Sequence, residues 1–217
     1  MPEPFDAVLL DLYDTIVWSE WGKLRDLIAT RIGVDTKALT KAFDLTRPAR
    51  GVGTYPDAEA DMGPVLRTAG VDPTPELVRE LVDLERDELT RGVHLYDDSL
   101  PVVRSLRERG VQTVLVSNCS HSTRFVVDHL RLEDAFDHVI LSFEVGVMKP
   151  DAGIYLAALR RAGGIDPSRA LFVDDQPGYC DGAAAVGMAT RLILRPNQDV
   201  HQDPHGHPVV TDFTSLG

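Results

Sequence analysis

The chain has 217 residues, 43% apolar and 26% charged, which suits one globular domain with a modest insert. Its 34 Asp and Glu outweigh 22 Lys and Arg, and the net charge of -12 argues against nucleic acid and anionic membranes as partners. Two cysteines, Cys119 and Cys180, exclude a disulfide framework; without a basic, apolar leader at Met1-Pro2-Glu3-Pro4 or a membrane-length apolar run, the expected location is cytoplasmic.

A buried strand is expected over 6–11, short and apolar between polar neighbours. From Ser19 to about Leu89 no strand-like run occurs, and four helices are expected. Ser19 can cap the first, which carries Leu24, Leu27 and Ile28 and closes near Gly33. Asp35 or Thr36 can start a short second helix with Leu39, Ala42 and Phe43. Asp57 can cap a third that closes at Gly70. Thr74-Pro75-Glu76 is a strong start for the fourth, because proline at the first helical position loses no bond.

Strands and helices then alternate. Helices are expected over 99–109, 123–130, 152–162 and 179–186, and strands over 113–116, 139–141, 170–173 and 191–194. Val209-Val210 could add an edge strand. This order implies an α/β fold: a Rossmann-like, doubly wound parallel sheet with an inserted all-helical domain. Residues 1–17 and 91–217 would form the core, and 18–90 the insert.

Polar residues gather where these strands end. Asp11 follows Ala7-Val8-Leu9-Leu10; Ser117-Asn118 follows Val114-Leu115-Val116; Asp174-Asp175 follows Leu171-Phe172-Val173. Lys149-Pro150-Asp151 lies between the last two. In an open parallel sheet this edge is where ligands bind. Each piece alone has an ordinary reading as a turn, a cap or a loop lysine. Together, in this order, they resemble the four motifs of the haloacid dehalogenase superfamily, over nearly the whole chain.

The resemblance implies roles. Asp11 matches the nucleophile, able to form a covalent intermediate that water resolves. Thr15 matches the residue that holds the nucleophile's loop. Ser117 and the backbone N–H of Asn118 match the phosphate-binding group, and Lys149 matches the cation that neutralises nucleophile and transferring group. Asp11, the backbone carbonyl of Tyr13 and Asp174 would hold Mg²⁺, with Asp175 either a further ligand or an orienter of Lys149. Asp181 could support the metal ligands. The helical insert stands where relatives carry a cap that selects the substrate. Arg47 and Arg50, in a basic stretch expected to be a flexible loop, could reach a substrate anion.

Tyr13 departs from the pattern. Phosphatases of the superfamily carry Asp there as proton donor and later base, whereas Tyr in that slot resembles the 2-haloacid dehalogenases, which need no metal and lack the paired Asp174-Asp175. The leading expectation is a Mg²⁺-dependent phosphatase acting on a small phosphorylated metabolite through an aspartyl-phosphate, as a monomer or homodimer. The alternatives are a metal-independent 2-haloacid dehalogenase and a catalytically weak or inactive binding protein. Trp18 and Trp21 are expected at the hinge or the cleft. His121 and Arg124 could touch substrate or merely start a helix. Cys119 reads as an inert thiol, and His201, His205 and His207 with Asp203 as a solvated loop.

Overall fold

The computed structural model describes residues 5–196 and 203–214. Its elements run in chain order: β1 Ala7–Leu10, β2 Val17–Ser19, α1 Trp21–Ile32, α2 Thr36–Gly51, α3 Ala58–Thr68, α4 Pro75–Gly92, β3 Val93–Leu95, α5 Ser99–Glu108 and β4 Gln112–Ser117. Then come α6 Thr123–His129, α7 Leu132–Ala135, β5 His138–Leu141, α8 Ser142–Val145, α9 Ala152–Arg161, β6 Ala170–Asp174, α10 Pro177–Ala185, β7 Ala189–Ile193 and β8 Val209–Val210.

Six strands form one parallel sheet in the order β5-β4-β1-β6-β7-β8. β1 lies in the middle, with Leu10 level with Leu115 on one side and Val173 on the other. Its side chains alternate between two cores, as the period of a strand requires. Val8 and Leu10 join Val103 and Leu106 of α5 and Val126 and Val127 of α6. Ala7 and Leu9 join Ile154 and Ala158 of α9 and Cys180 and Ala183 of α10. Helices thus cover both faces, which makes the α/β core doubly wound. Among the described residues no helix is long and apolar enough to cross a membrane.

Helices α1 to α4 stand outside the sheet and pack on one another through Leu24, Ile28, Leu39, Leu66 and Leu81, all buried. Their start signals act as their chemistry suggests. The Asp35 carboxylate accepts from the N–H groups of Lys37 and Ala38, Asp57 from Ala60, and the Thr74 hydroxyl from Leu77. Gly33 closes α1 in the left-handed region, at φ 70°.

Three local expectations are corrected. Ser19 does not cap α1; it ends β2, and Glu20 precedes the helix without a side-chain cap. β2 and β3 form an antiparallel ribbon, Val17 opposite Leu95 and Ser19 opposite Val93, at the base of the helical unit. The second helix is not short: α2 runs on through Pro48 to Gly51, so Arg47 and Arg50 lie on a helix rather than a flexible loop. Thr46, one turn back, donates to the Ala42 and Phe43 carbonyls, while the Pro48 ring costs that turn a single N–H donor.

Candidate active site

Asp11 leaves β1 with its N–H on the Val173 carbonyl, at 3.0 Å, so its side chain emerges between β4 and β6. Asp174 ends β6 and is fully buried. Lys149 reaches this point from the loop before α9, and its side chain has no exposed surface. Its Nζ donates to Asp11 Oδ1 at 2.5 Å, to Asp174 Oδ2 at 2.6 Å and to the Val116 carbonyl at 3.1 Å. Two carboxylates and a carbonyl fill the three donors of a buried ammonium, a geometry in which such a charge is tolerated. Despite burial, the attraction of Asp11 and Asp174 leaves the Lys149 ammonium above its usual range.

The lysine's backbone is held as firmly. The Asn118 amide donates to the Lys149 carbonyl at 2.8 Å and accepts from the Lys149 N–H at 2.7 Å. Asn118 therefore joins the end of β4 to the lysine loop through its side chain. From the other side, α10 presses on the same loop at Gly182. A Cβ there would meet the Pro150 carbonyl oxygen at 2.5 Å and the Tyr155 hydroxyl at 2.9 Å, so only glycine permits this approach.

Asp11, Asp174 and Asp175 offer carboxylate oxygens within 4.8 Å of one another, and all three residues are buried. Burial pushes the carboxyls of Asp174 and Asp175 well above the ordinary carboxylate range, and the charge on Asp11 pushes the same way. One lysine does not balance three such groups. A cluster of hard oxygen donors with surplus negative charge fits a small divalent cation such as Mg²⁺.

A cavity of about 450 Å³ opens over Asp11 and is also lined by Tyr13, Asp14, Ser117, Asn118 and Asp175 from the sheet side. The helical unit supplies Trp21, Arg25, Phe43, Arg47, Arg50 and Glu85. The structure thus brings Asp11, Ser117, Asn118, Asp175, Arg47 and Arg50 to one cavity. Tyr13 lines it too, its ring tilted against Trp21 with centroids 5.1 Å apart and its hydroxyl 3.4 Å from Thr123 Oγ1. Burial raises the Tyr13 phenol well above its normal range.

Other predicted residues stand elsewhere. Thr15 is fully buried, lines no part of the cavity, and its hydroxyl has no hydrogen-bond partner among the described residues. Trp18 stacks on His94 in the ribbon, with centroids 4.2 Å apart. His121 donates its N–H to Asp61, which its ring also contacts, and Arg124 pairs with Glu133 and Glu144. Asp181 faces the tail, not the carboxylate cluster, so it supports no metal ligand: His205 Nδ1 lies 2.7 Å and His207 Nε2 2.9 Å from its oxygens. These two histidines are therefore not merely solvated; they clip the tail to α10. His201 lies outside the described residues. Cys119 is buried, and desolvation pushes its thiol up to about 12, as suits an inert cysteine.

Arg195 is a residue that sequence reasoning missed. Its guanidinium donates twice to the Thr15 carbonyl, at 2.8 and 3.0 Å, and pairs with Asp98 at 2.9 Å. It lies between the rings of Tyr96 and Phe213, 4.2 and 4.4 Å from their centroids. The loop after Asp11 is thus held by its backbone from the far side. Arg195→Leu would take both guanidinium donors from the Thr15 carbonyl and the paired charge from Asp98, leaving that carboxylate to the Phe213 N–H, and is expected to cost about 3 kcal/mol in urea unfolding. A loss under about 0.5 kcal/mol would mean that the clamp is a surface pair in energetic terms.

Comparison with known proteins agrees with this geometry. The model for haloacid dehalogenase-like hydrolases matches residues 5–187. The glyceraldehyde 3-phosphate phosphatase of Methanopyrus kandleri is 29% identical over 217 residues, covering 95% of this chain and 91% of that protein. Among solved structures, a 2-haloacid dehalogenase from Pseudomonas syringae superposes with a TM-score of 0.72 at 22% identity, over 98% of this chain and 96% of that one. A Bacteroides thetaiotaomicron enzyme, solved with magnesium and inorganic phosphate, gives 0.71 at 18% identity, over 91% of this chain and 98% of that one. At such identities the two structures speak for the fold alone. The strand-end carboxylates, the buried lysine and the family match together make this chain a member of the haloacid dehalogenase-like hydrolase family.

Proposed function

We propose that the protein is a Mg²⁺-dependent phosphatase for a small phosphorylated metabolite, with Asp11 as nucleophile. The observation that carries this reading is the surplus of buried carboxylate beside Asp11. Hydrolysis of a 2-haloacid brings a carboxylate substrate and no metal, and Asp174 and Asp175 would repel it. With a cation held by Asp11, the Tyr13 backbone carbonyl, Asp174 and Asp175, the same cluster welcomes a phosphoryl dianion. A bound Mg²⁺ supplies charge neutralisation of the phosphoryl oxygens.

The chain's own groups do the rest. A carboxylate oxygen of Asp11 attacks phosphorus, the ester or acyl oxygen leaves with the bonding pair, and water later attacks the aspartyl-phosphate to return free phosphate and carboxylate. Lys149 holds Asp11 and offsets charge during transfer. Ser117 and the Asn118 N–H bind phosphoryl oxygens, while the Asn118 amide keeps the lysine loop in register. The helical residues 18–90 act as the cap, closing the cavity against water. A roofed cavity of this volume takes a small molecule. The absence of a membrane-crossing helix among the described residues is compatible with a cytoplasmic enzyme.

Tyr13 favours the second reading, dehalogenation, because a tyrosine there cannot replace the aspartate acid–base. Parallel assays separate the two. Phosphate release from acetyl phosphate, stopped by a chelator, with no halide from 2-chloropropionate, is the expected result. Chelator-resistant halide release without phosphate release would establish the dehalogenase instead.

A further inference from the structure

Two guanidinium groups line the cavity with no carboxylate hydrogen-bonded to either among the described residues. Arg50 is only 8% exposed, yet all its hydrogen-bond acceptors are neutral: the Thr46 hydroxyl at 3.1 Å, the Phe43 carbonyl at 3.0 Å and the Ser120 hydroxyl at 3.3 Å. Arg25, half-buried, makes one long contact to the Thr40 carbonyl, at 3.5 Å. Among the described residues neither forms an ion pair with a carboxylate, although both line a cavity that also holds Glu85 and Asp44. The Glu85 carboxylate is occupied, accepting from the Ser122 hydroxyl at 2.7 Å.

The two cations are also held near each other. Both stand over the Phe43 ring, Arg25 at 5.0 Å and Arg50 at 5.1 Å from its centroid. Desolvation is the largest influence on each charge and disfavours it; Asp44 and Glu85 offset it in part at Arg25, and Glu85 and Asp61 at Arg50, where Arg25 adds repulsion. Desolvated cations whose carboxylate neighbours make no hydrogen bond to them are left under-compensated, and an anion that enters the cavity and accepts from both supplies what those neighbours do not. The phosphoryl group has its own proposed partners at the strand ends, Asp11, Ser117 and Asn118, whereas the two arginines come from α1 and α2 of the helical unit, with Arg50 reaching the loop after β4 at Ser120.

We infer that Arg25 and Arg50 form a second anion subsite, so that the substrate carries, besides its phosphoryl group, a carboxylate or a second phosphate at its other end. The inference rests on the phosphatase reading for the direction in which substrate lies. It reaches further than that reading because it sets the chemistry of the leaving group. Arg47, exposed at the cavity on the same helix, adds positive charge along the way in.

The test uses three ligands of similar size: glycerol 3-phosphate with a neutral end, 3-phosphoglycerate with a carboxylate, and propanediol bisphosphate with a second phosphate. Calorimetric dissociation constants are measured with Mg²⁺ on Asp11→Asn protein, where nothing turns over, and again with Arg25→Gln or Arg50→Gln added. At least one doubly anionic ligand is expected to bind about tenfold tighter than glycerol 3-phosphate, and which one identifies the second anion. Either arginine variant should bring that ratio close to one, and Arg50→Lys should keep part of it. Arg25→Gln, at a less buried position, preserves the test should Arg50→Gln fail to fold. Equal constants for the three ligands, no binding of any, or a ratio untouched by both variants would overturn the subsite. Preference for the doubly anionic ligands by a wild-type protein that releases no phosphate would defeat the phosphatase reading and keep the subsite. Phosphate release with equal constants would do the reverse.

Discussion

Lys149→Met is expected to abolish hydrolysis and to destabilise the fold in the same step. The variant keeps the length of the side chain but leaves Asp11 and Asp174 desolvated and facing each other, and takes the ammonium donor from the Val116 carbonyl. Removing one partner from a buried ionic set costs about 3–5 kcal/mol. The loss should shrink as pH falls. Without the ammonium, burial and mutual repulsion raise the native-state carboxyl pKa above the unfolded value. The native variant then binds more protons than the unfolded chain, so it gains stability on acidification through that range. Urea unfolding of wild type and variant across pH reads this directly. Turnover should drop about 10³-fold or more, since the charge that balances the transferring phosphoryl group is gone. A variant with normal stability and residual turnover within tenfold would show that the lysine is neither a structural keystone nor an electrostatic catalyst.

Tyr13→Asp is expected to act in the opposite direction and selectively. In wild type the phenol is half-buried at the cavity wall and held protonated by desolvation, with its hydroxyl near Thr123 and, among the described residues, no carboxylate hydrogen-bonded to it. Such a group is a poor base for water and a weak acid toward an alkoxide. An aspartate in that position can protonate a leaving oxygen, help worth about 10²–10⁴-fold. Alkyl phosphates, whose leaving groups are basic, should gain most of that factor. Acetyl phosphate, with an acidic leaving group, should gain little. The lost contact with Trp21 costs on the order of 1 kcal/mol, which the fold should bear. Equal, small changes on both substrate types would mean that Tyr13 performs a step of its own or that another step limits the rate.

Much of the site was legible because its residues end strands. Asp11, Ser117 and Asp174 follow apolar runs that can only be buried strands, and the order of the runs puts those ends on one edge. Lys149 was legible through the Pro-Asp that follows it, which starts α9. Helix starts were legible wherever a side chain meets its own backbone, as at Asp35, Asp57 and Thr74. What sequence missed depends on partners distant along the chain. The β2–β3 ribbon pairs strands of three residues, too short to show a period, across the whole helical unit. Arg195 serves the Thr15 carbonyl and Asp98, and an arginine after an edge strand carries no local mark of that duty. Arg25 and Glu85 sit on helices whose periodicity says only that they are polar, and the cavity they share exists only once α1, α2 and α4 pack. The stretch holding Arg47 and Arg50 read as a flexible loop, yet α2 continues through it, Pro48 included, because Ala42, Phe43 and Arg50 are buried on one side. Asp181 read as a support for the metal ligands, but α10 carries it to the surface and to the tail histidines.

The central claim is that Asp11 accepts a phosphoryl group in a Mg²⁺-dependent reaction. Its most direct test is phosphate release from acetyl phosphate and p-nitrophenyl phosphate by wild type and Asp11→Asn, each with Mg²⁺ and with chelator. Release by the wild type with Mg²⁺ alone, and none by the variant, is the predicted result. Release that the variant retains, or that the chelator leaves untouched, would contradict the account.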